Sequence, residues 1–139
     1  MANFEVKSRR TIIDQKSGND KSITEAFFIE NCTSWADAED KMLAYFNSEN
    51  EVVGMAISKV MEVVNTPTQE EKMDMFVYRA VIASLYTDDD GNEKEMKYPV
   101  LLWAKSIDEA MEIVKGYIAQ GLDGMSLVSI TKTKIVEVI

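Results

Sequence analysis

A chain of 139 residues, 46% hydrophobic and 28% charged, can bury one compact core or two small repeats around a shared one, and its composition is globular, not disordered. Its net charge of −9, divided as −4 over residues 1–66 and −5 over 67–139, repels phosphate backbones and argues against general nucleic-acid binding. With no histidine and one cysteine, Cys32, the chain cannot by itself form a disulfide, a Cys/His zinc site, a histidine-dependent triad or a Cys–His dyad, so catalysis would have to run on carboxylates, lysines or tyrosines.

The opening "MANFEVKSRR" lacks the apolar core and small-residue cleavage pattern of a signal peptide. No apolar run approaches the roughly 18 residues that cross a membrane. A cytoplasmic protein without membrane contact is expected. Residues 4–14 alternate through Phe4, Val6 and Ile12, "QKSGNDKS" supplies turn residues, and "ITEAFFIEN" resumes an extended run, so the first element is a β-hairpin. A helix follows over about 35–47. Ser34 caps it and Asp37 stands at the capping-box position, while Trp35, Ala38, Met42 and Tyr45 form an apolar stripe that assigns Trp35 to the core. "EVVGMAISKVMEVV" reads as a third strand. "NTPTQEEKMD", with Pro67, is the one linker-like stretch, at residues 65–74. Strands near 75–87 and 95–104 then flank "DDDGNE"; a helix near 107–120 leads through "QGLDG" to a last strand near 125–138.

These elements are written twice. At an offset of 72, Ser34 matches Ser106, Trp35 matches Ile107, Ala38 matches Ala110, Met42 matches Val114 and Tyr45 matches Tyr117. Phe4 and Lys7 fall on Phe76 and Arg79, and "ISKVMEVV" resembles "ITKTKIVEVI" once a residue or two is inserted. The expected fold is α+β: two β-β-α-β repeats, about 3–64 and 75–139, forming one compact domain with a mainly antiparallel sheet core and two amphipathic helices. "FVYRAVIASLY" is apolar on both faces, as a central strand covered on both sides would be. The sheets of the two copies, or of two chains, are therefore expected to pack together.

The candidate sites are few. The acidic starts of both helices answer a structural need common to both copies. Asp88, Asp90 and Gly91 recur in the order of a calcium loop, but its first and twelfth ligand positions would be Tyr86 and Lys97, so an Asp-Gly hairpin turn is the better reading. Cys32 aligns with Ala104 and reads as a small, inert core side chain. Basic residues repeat: Lys7 with Arg79, and Lys59 with Lys132, the second pair at an offset of 73. They could converge as an anion-binding patch or lie on solvent faces where they discourage edge pairing. No cofactor motif and no metal-ligand set is present.

The opening "MANFEVKSRR", the "S-[WI]-x-[DE]-A" pattern at both helix starts and the terminal "ITKTKIVEVI" resemble a family of unknown function from gut anaerobes, their mobile elements and their bacteriophages. The resemblance implies a phage or mobile-element setting, in which small acidic proteins bind host factors; it supplies no catalytic or binding residues. The expected function is a non-enzymatic binding module that engages a protein. The alternative is a protein that binds a small anion, such as a nucleotide, through Lys7, Arg79, Lys59 and Lys132, alone or as a homo-oligomer. A hydrolase or transferase would need paired carboxylates in an apolar cleft, which the sequence does not display.

Overall fold

A computed structural model describes residues 1–121 and 124–139; Leu122 and Asp123 of the expected "QGLDG" connection lie outside the described residues. In chain order the elements are β1 (Ala2–Ile13), β2 (Asp20–Cys32), α1 (Trp35–Tyr45), β3 (Glu51–Ile57), β4 (Glu62–Val63), β5 (Phe76–Thr87), β6 (Glu93–Ala104), α2 (Ile107–Ala119), β7 (Met125–Lys132) and β8 (Ile135–Val138). A short 3-10 turn, Glu71–Asp74, lies in the expected linker. Among the described residues no helix is long and apolar enough to cross a membrane.

The chain divides into two compact units, one of Met1–Lys59 with Lys134–Ile139 and the other of Val60–Thr133. In the first, the sheet order is β3-β1-β2-β8. Strand β1 pairs antiparallel with β2 and β3, and β8 runs parallel to β2. The alternation read in β1 is literal: Phe4, Val6 and Ser8 are buried, and Glu5, Lys7 and Arg9 are exposed. Phe4, Val6, Phe27, Ile29 and Cys32 meet Ala38 and Met42 of α1 in one core. The second unit has the order β4-β6-β5-β7, with β5 antiparallel to both neighbours and β4 parallel to β6. Its core joins Tyr78, Ala80, Ile82, Val100, Leu102 and Ala104 to Ala110 and Val114 of α2. Strand β5 is central and buried on both faces, Val77 and Ala83 on one and Tyr78, Ala80 and Ile82 on the other.

The fold is α+β, with eight strands in two mixed sheets and two helices among the described residues. One detail of the expected repeat is corrected. Neither 51–64 nor 125–138 is a single strand, because the chain changes sheets partway along each. Ile57 is the last residue paired with β1; Ser58 N–H then donates to the Asn3 carbonyl, and by Met61 the backbone N–H donates to the Pro99 carbonyl in β6. In the second copy Thr133 N–H donates to the Val77 carbonyl, and Ile139 N–H donates to the Phe28 carbonyl in β2. Each repeat is thus β-β-α-β-β, with its short last strand completing the other copy's sheet.

Register also refines the repeat. Phe4 pairs with Ile29 as Tyr78 pairs with Leu102, and Val6 pairs with Phe27 as Ala80 pairs with Val100. Ala2 pairs with Cys32 as Phe76 pairs with Ala104. Asn31 is the extra residue that reconciles these pairings with the helices: its φ of 57° makes a bulge in β2 that β6 lacks. Asparagine tolerates that left-handed conformation, and the Asn3 side-chain oxygen accepts its N–H at 3.0 Å. The two outer strands share another bulge. Val53 is the extra residue in β3 and Val128 the extra residue in β7, and both side chains are exposed. A bulge on an edge strand twists its free hydrogen-bonding groups away from further pairing.

Candidate functional site

Both helices begin as their serines predict. Ser34 Oγ accepts the Asp37 N–H at 3.1 Å, and Ser106 Oγ accepts the Glu109 N–H at 3.2 Å. The Asp37 carboxylate reaches back to the Thr33 N–H at 2.9 Å, one residue before the cap, and pairs with Lys41 at 3.3 Å. That backbone hydrogen bond, with Lys41, holds Asp37 below the usual carboxylate range. The acidic start of α1 is therefore structural.

What the start of α1 also creates was not legible in its own residues. Trp35 does not enter the core; it is 48% exposed. Its ring meets Phe4 edge-on, with centroids 4.9 Å apart at 73°. Beside it opens a hollow of about 320 Å³ whose walls include Ala2, Phe4, Cys32, Ser34, Trp35 and Ile57. Ile57 is exposed, Phe4 and Cys32 are buried, and burial pushes the Cys32 thiol pKa up, so the thiol contributes an inert wall.

The second unit carries different residues at the same register positions. Where Ala2 pairs with Cys32, Phe76 pairs with Ala104. Where Ile57 pairs with Phe4, Lys132 pairs with Tyr78. The Lys132 ammonium stands over the Phe76 ring, 3.4 Å from its centroid. One copy thus carries a half-exposed ring with a cation over it at register positions where the other has Ala2 and Ile57.

The four repeated basic residues are distributed as follows. Lys7 points to the face of the first sheet opposite α1, beside Glu5, Ala26 and Gly54. It lines a hollow of about 380 Å³ with those residues and a second of about 270 Å³ with Lys134 and Glu25. Lys59 lies beyond the end of β3 and is exposed. In the second unit, Arg79 pairs with Thr131 and Lys132 with Tyr78. Arg79 and Lys132 are therefore on opposite faces of one sheet and do not converge. Register also replaces the matches made at fixed offset: the counterpart of Lys7 is Val81, and that of Lys132 is Ile57. Arg9 and Arg10 are engaged by Glu51 and Glu25 at 2.6 and 2.9 Å.

The loop at Asp88 is a turn. Asp88 Oδ1 accepts the N–H groups of Asp90 and Asn92, the Asp88 carbonyl accepts the Gly91 N–H, and Gly91 adopts a φ of 80°. Among the described residues no group of three or more Asp, Glu, Cys or His side chains is placed to hold a metal ion.

In each unit a tyrosine lies near a glutamate, a proximity unforeseen in the sequence, and in the second unit the pair is hydrogen-bonded. The Tyr117 hydroxyl donates to the Glu62 carboxylate and lies 3.3 Å from the Tyr98 hydroxyl. Burial, with Glu62 and Tyr98, raises the Tyr117 pKa far above the ordinary tyrosine value. In the first unit Glu137 is buried and raises the pKa of Tyr45, after burial of the phenol itself. The signal was present: "AYF" and "GYI" repeat a tyrosine, and "MEVV" and "VEVI" repeat a glutamate.

The chain belongs to the family described as Domain of unknown function (DUF4494), whose model matches residues 3–139. None of the curated proteins matches it.

Proposed function

We propose that this DUF4494 chain is a non-enzymatic binding module, a phage or mobile-element accessory protein that engages a host protein in the cytoplasm. One observation carries the reading: Trp35, half exposed, walls an open hollow with Phe4 and Ile57 on one side and Ser34 on another. An exposed tryptophan beside a concave surface is the residue type enriched at protein–protein hot spots. The other notable side chains have structural work. Asp37 caps a helix, Asp88 closes a turn and Cys32 is a buried wall.

Affinity capture from a host lysate tests the proposal. A specific protein should be retained by the wild type and lost with Trp35→Ala, whose fold is checked by circular dichroism. Identical retention by both proteins, or retention by neither, would overturn it.

A second reading, binding of a small anion, is supported by Lys7 and Lys134 lining one hollow of the first sheet. Titration with ATP and with inorganic phosphate should shift the NMR signals of Lys7, Ala26 and Lys134, and Lys7→Gln should weaken the effect. Shifts scattered over all surface lysines would discard it.

A further inference from the structure

We infer that the hollow beside Trp35 is a socket for one aromatic side chain of a protein partner, presented next to a basic residue; the inference rests on the binding-module reading above. The internal duplication supplies the template. In the second unit the corresponding register position carries Phe76, 45% exposed, with the Lys132 ammonium over its ring. In the first unit both members of that pair are gone, replaced by Ala2 and Ile57. The surrounding walls persist in kind: Phe4 stands for Tyr78, Cys32 for Ala104 and Trp35 for Ile107. Trp35 adds a half-exposed indole where the second unit has the half-exposed Ile107.

The missing pair defines the ligand. A ring entering over Ala2 would meet the half-exposed Trp35, which the buried Phe4 already holds by an edge-to-face contact. The cation that accompanies the ring in the second unit has no counterpart in the first, where Ile57 occupies its register. Charge favours a cation brought by the partner. The first turns of α1 carry Asp37, Glu39 and Asp40 against Lys41, and the whole chain has a net charge of −9. An aromatic residue followed by lysine or arginine supplies both absent members.

The test is NMR titration of the full chain with the capped peptide Gly-Ser-Phe-Lys-Ser-Gly and with two controls, Phe replaced by Ala and Lys replaced by Glu. The parent peptide should move the Trp35 indole N–H and the amides of Ala2 and Ile57 at millimolar concentration. The Phe-less peptide should bind at least 10-fold more weakly. The Glu peptide should bind several-fold more weakly, by a margin that shrinks with added salt. Ala2→Phe installs the second unit's ring and should abolish the shifts; Trp35→Ile installs its other wall residue and should weaken binding if Ala2→Phe fails to fold. Equal binding of the parent and Phe-less peptides, or undiminished binding by either variant, overturns the socket. Movement of the Trp35 signal on dilution without peptide also overturns it, in favour of a second copy as occupant. Lysate capture that survives Ala2→Phe removes the socket and keeps the binding module. Peptide binding by a protein that captures nothing supports the socket and counts against the module.

Discussion

Asp37 joins the chain before α1 to the helix itself, and its ionisation should be felt in stability. The Thr33 N–H and the Lys41 ammonium both favour the carboxylate, so its pKa is lowered in the folded state. A depressed carboxylate pKa contributes stability above the unfolded value, near 3.9, and that contribution is lost as pH falls through the folded value. Asp37→Asn should therefore be less stable than wild type in urea at pH 7, with the gap closing toward pH 2–3. A gap independent of pH would refute this linkage. The two tyrosines make a second contrast. Tyr117 has a carboxylate acceptor in Glu62, whereas Tyr45 is 45% exposed and packs chiefly on Phe27 and Phe46. Tyr117→Phe leaves a partly buried carboxylate without its donor and should cost about 1 kcal/mol. Tyr45→Phe should cost less, and urea denaturation of both variants at pH 7 checks the order.

At the scale of elements, α1 and α2 start with the same serine cap but unequal support. Asp37 closes the entry to α1 by bonding Thr33, while among the described residues Glu109 makes no such return bond at α2. Removing a serine cap costs about 1 kcal/mol, and the cost should be larger where nothing else holds the helix start. Ser106→Ala is accordingly expected to destabilise more than Ser34→Ala; equal losses in chemical denaturation would deny the supporting role of Asp37. These starts were legible because a cap is read from residues three apart. So were the hairpins, from alternation broken by turn residues. The exposure of Trp35 was not. Its spacing with Ala38 and Met42 is that of a buried stripe, yet the first helical position is half exposed in both units, at Trp35 and at Ile107, because each stands at the end of its stripe beyond the buried Ala38 and Ala110. The match of Lys7 to Arg79 failed for a different reason. A fixed offset is valid along the helices, but the bulge at Asn31 and the unequal hairpins shift the strands, and a bulge is visible only once strands are paired.

The whole molecule is organised by an exchange that neither repeat reveals alone. The last strand of each copy, β4 or β8, lies parallel to the second strand of the other copy, so a cut between the repeats does not separate the two compact units. Without Lys134–Ile139 the first unit loses the pairing of β8 with Ala26, Phe27 and Phe28, the Ile139 hydrogen bonds to Phe28 and Glu30, and the buried Ile135. Burial of one such side chain is worth about 2 kcal/mol, a large share of a small unit's stability. A fragment of residues 1–66 therefore has an exposed edge on β2 and a loose copy of the strand that fits it. Glu62 and Val63 pair with Val100 and Leu101 as Glu137 and Val138 pair with Phe27 and Phe28. Two fragments can each donate β4 to the other's β2, which closes both edges with two-fold symmetry. The fragment should then fold only as a dimer, with sedimentation showing twice the chain mass and with denaturation midpoints that rise with concentration. Addition of a β8 peptide covering residues 133–139 should compete for β2 and shift the dimer toward a peptide-bound monomer. A fragment that is monomeric, folded and indifferent to the peptide would show that the exchanged strand is dispensable.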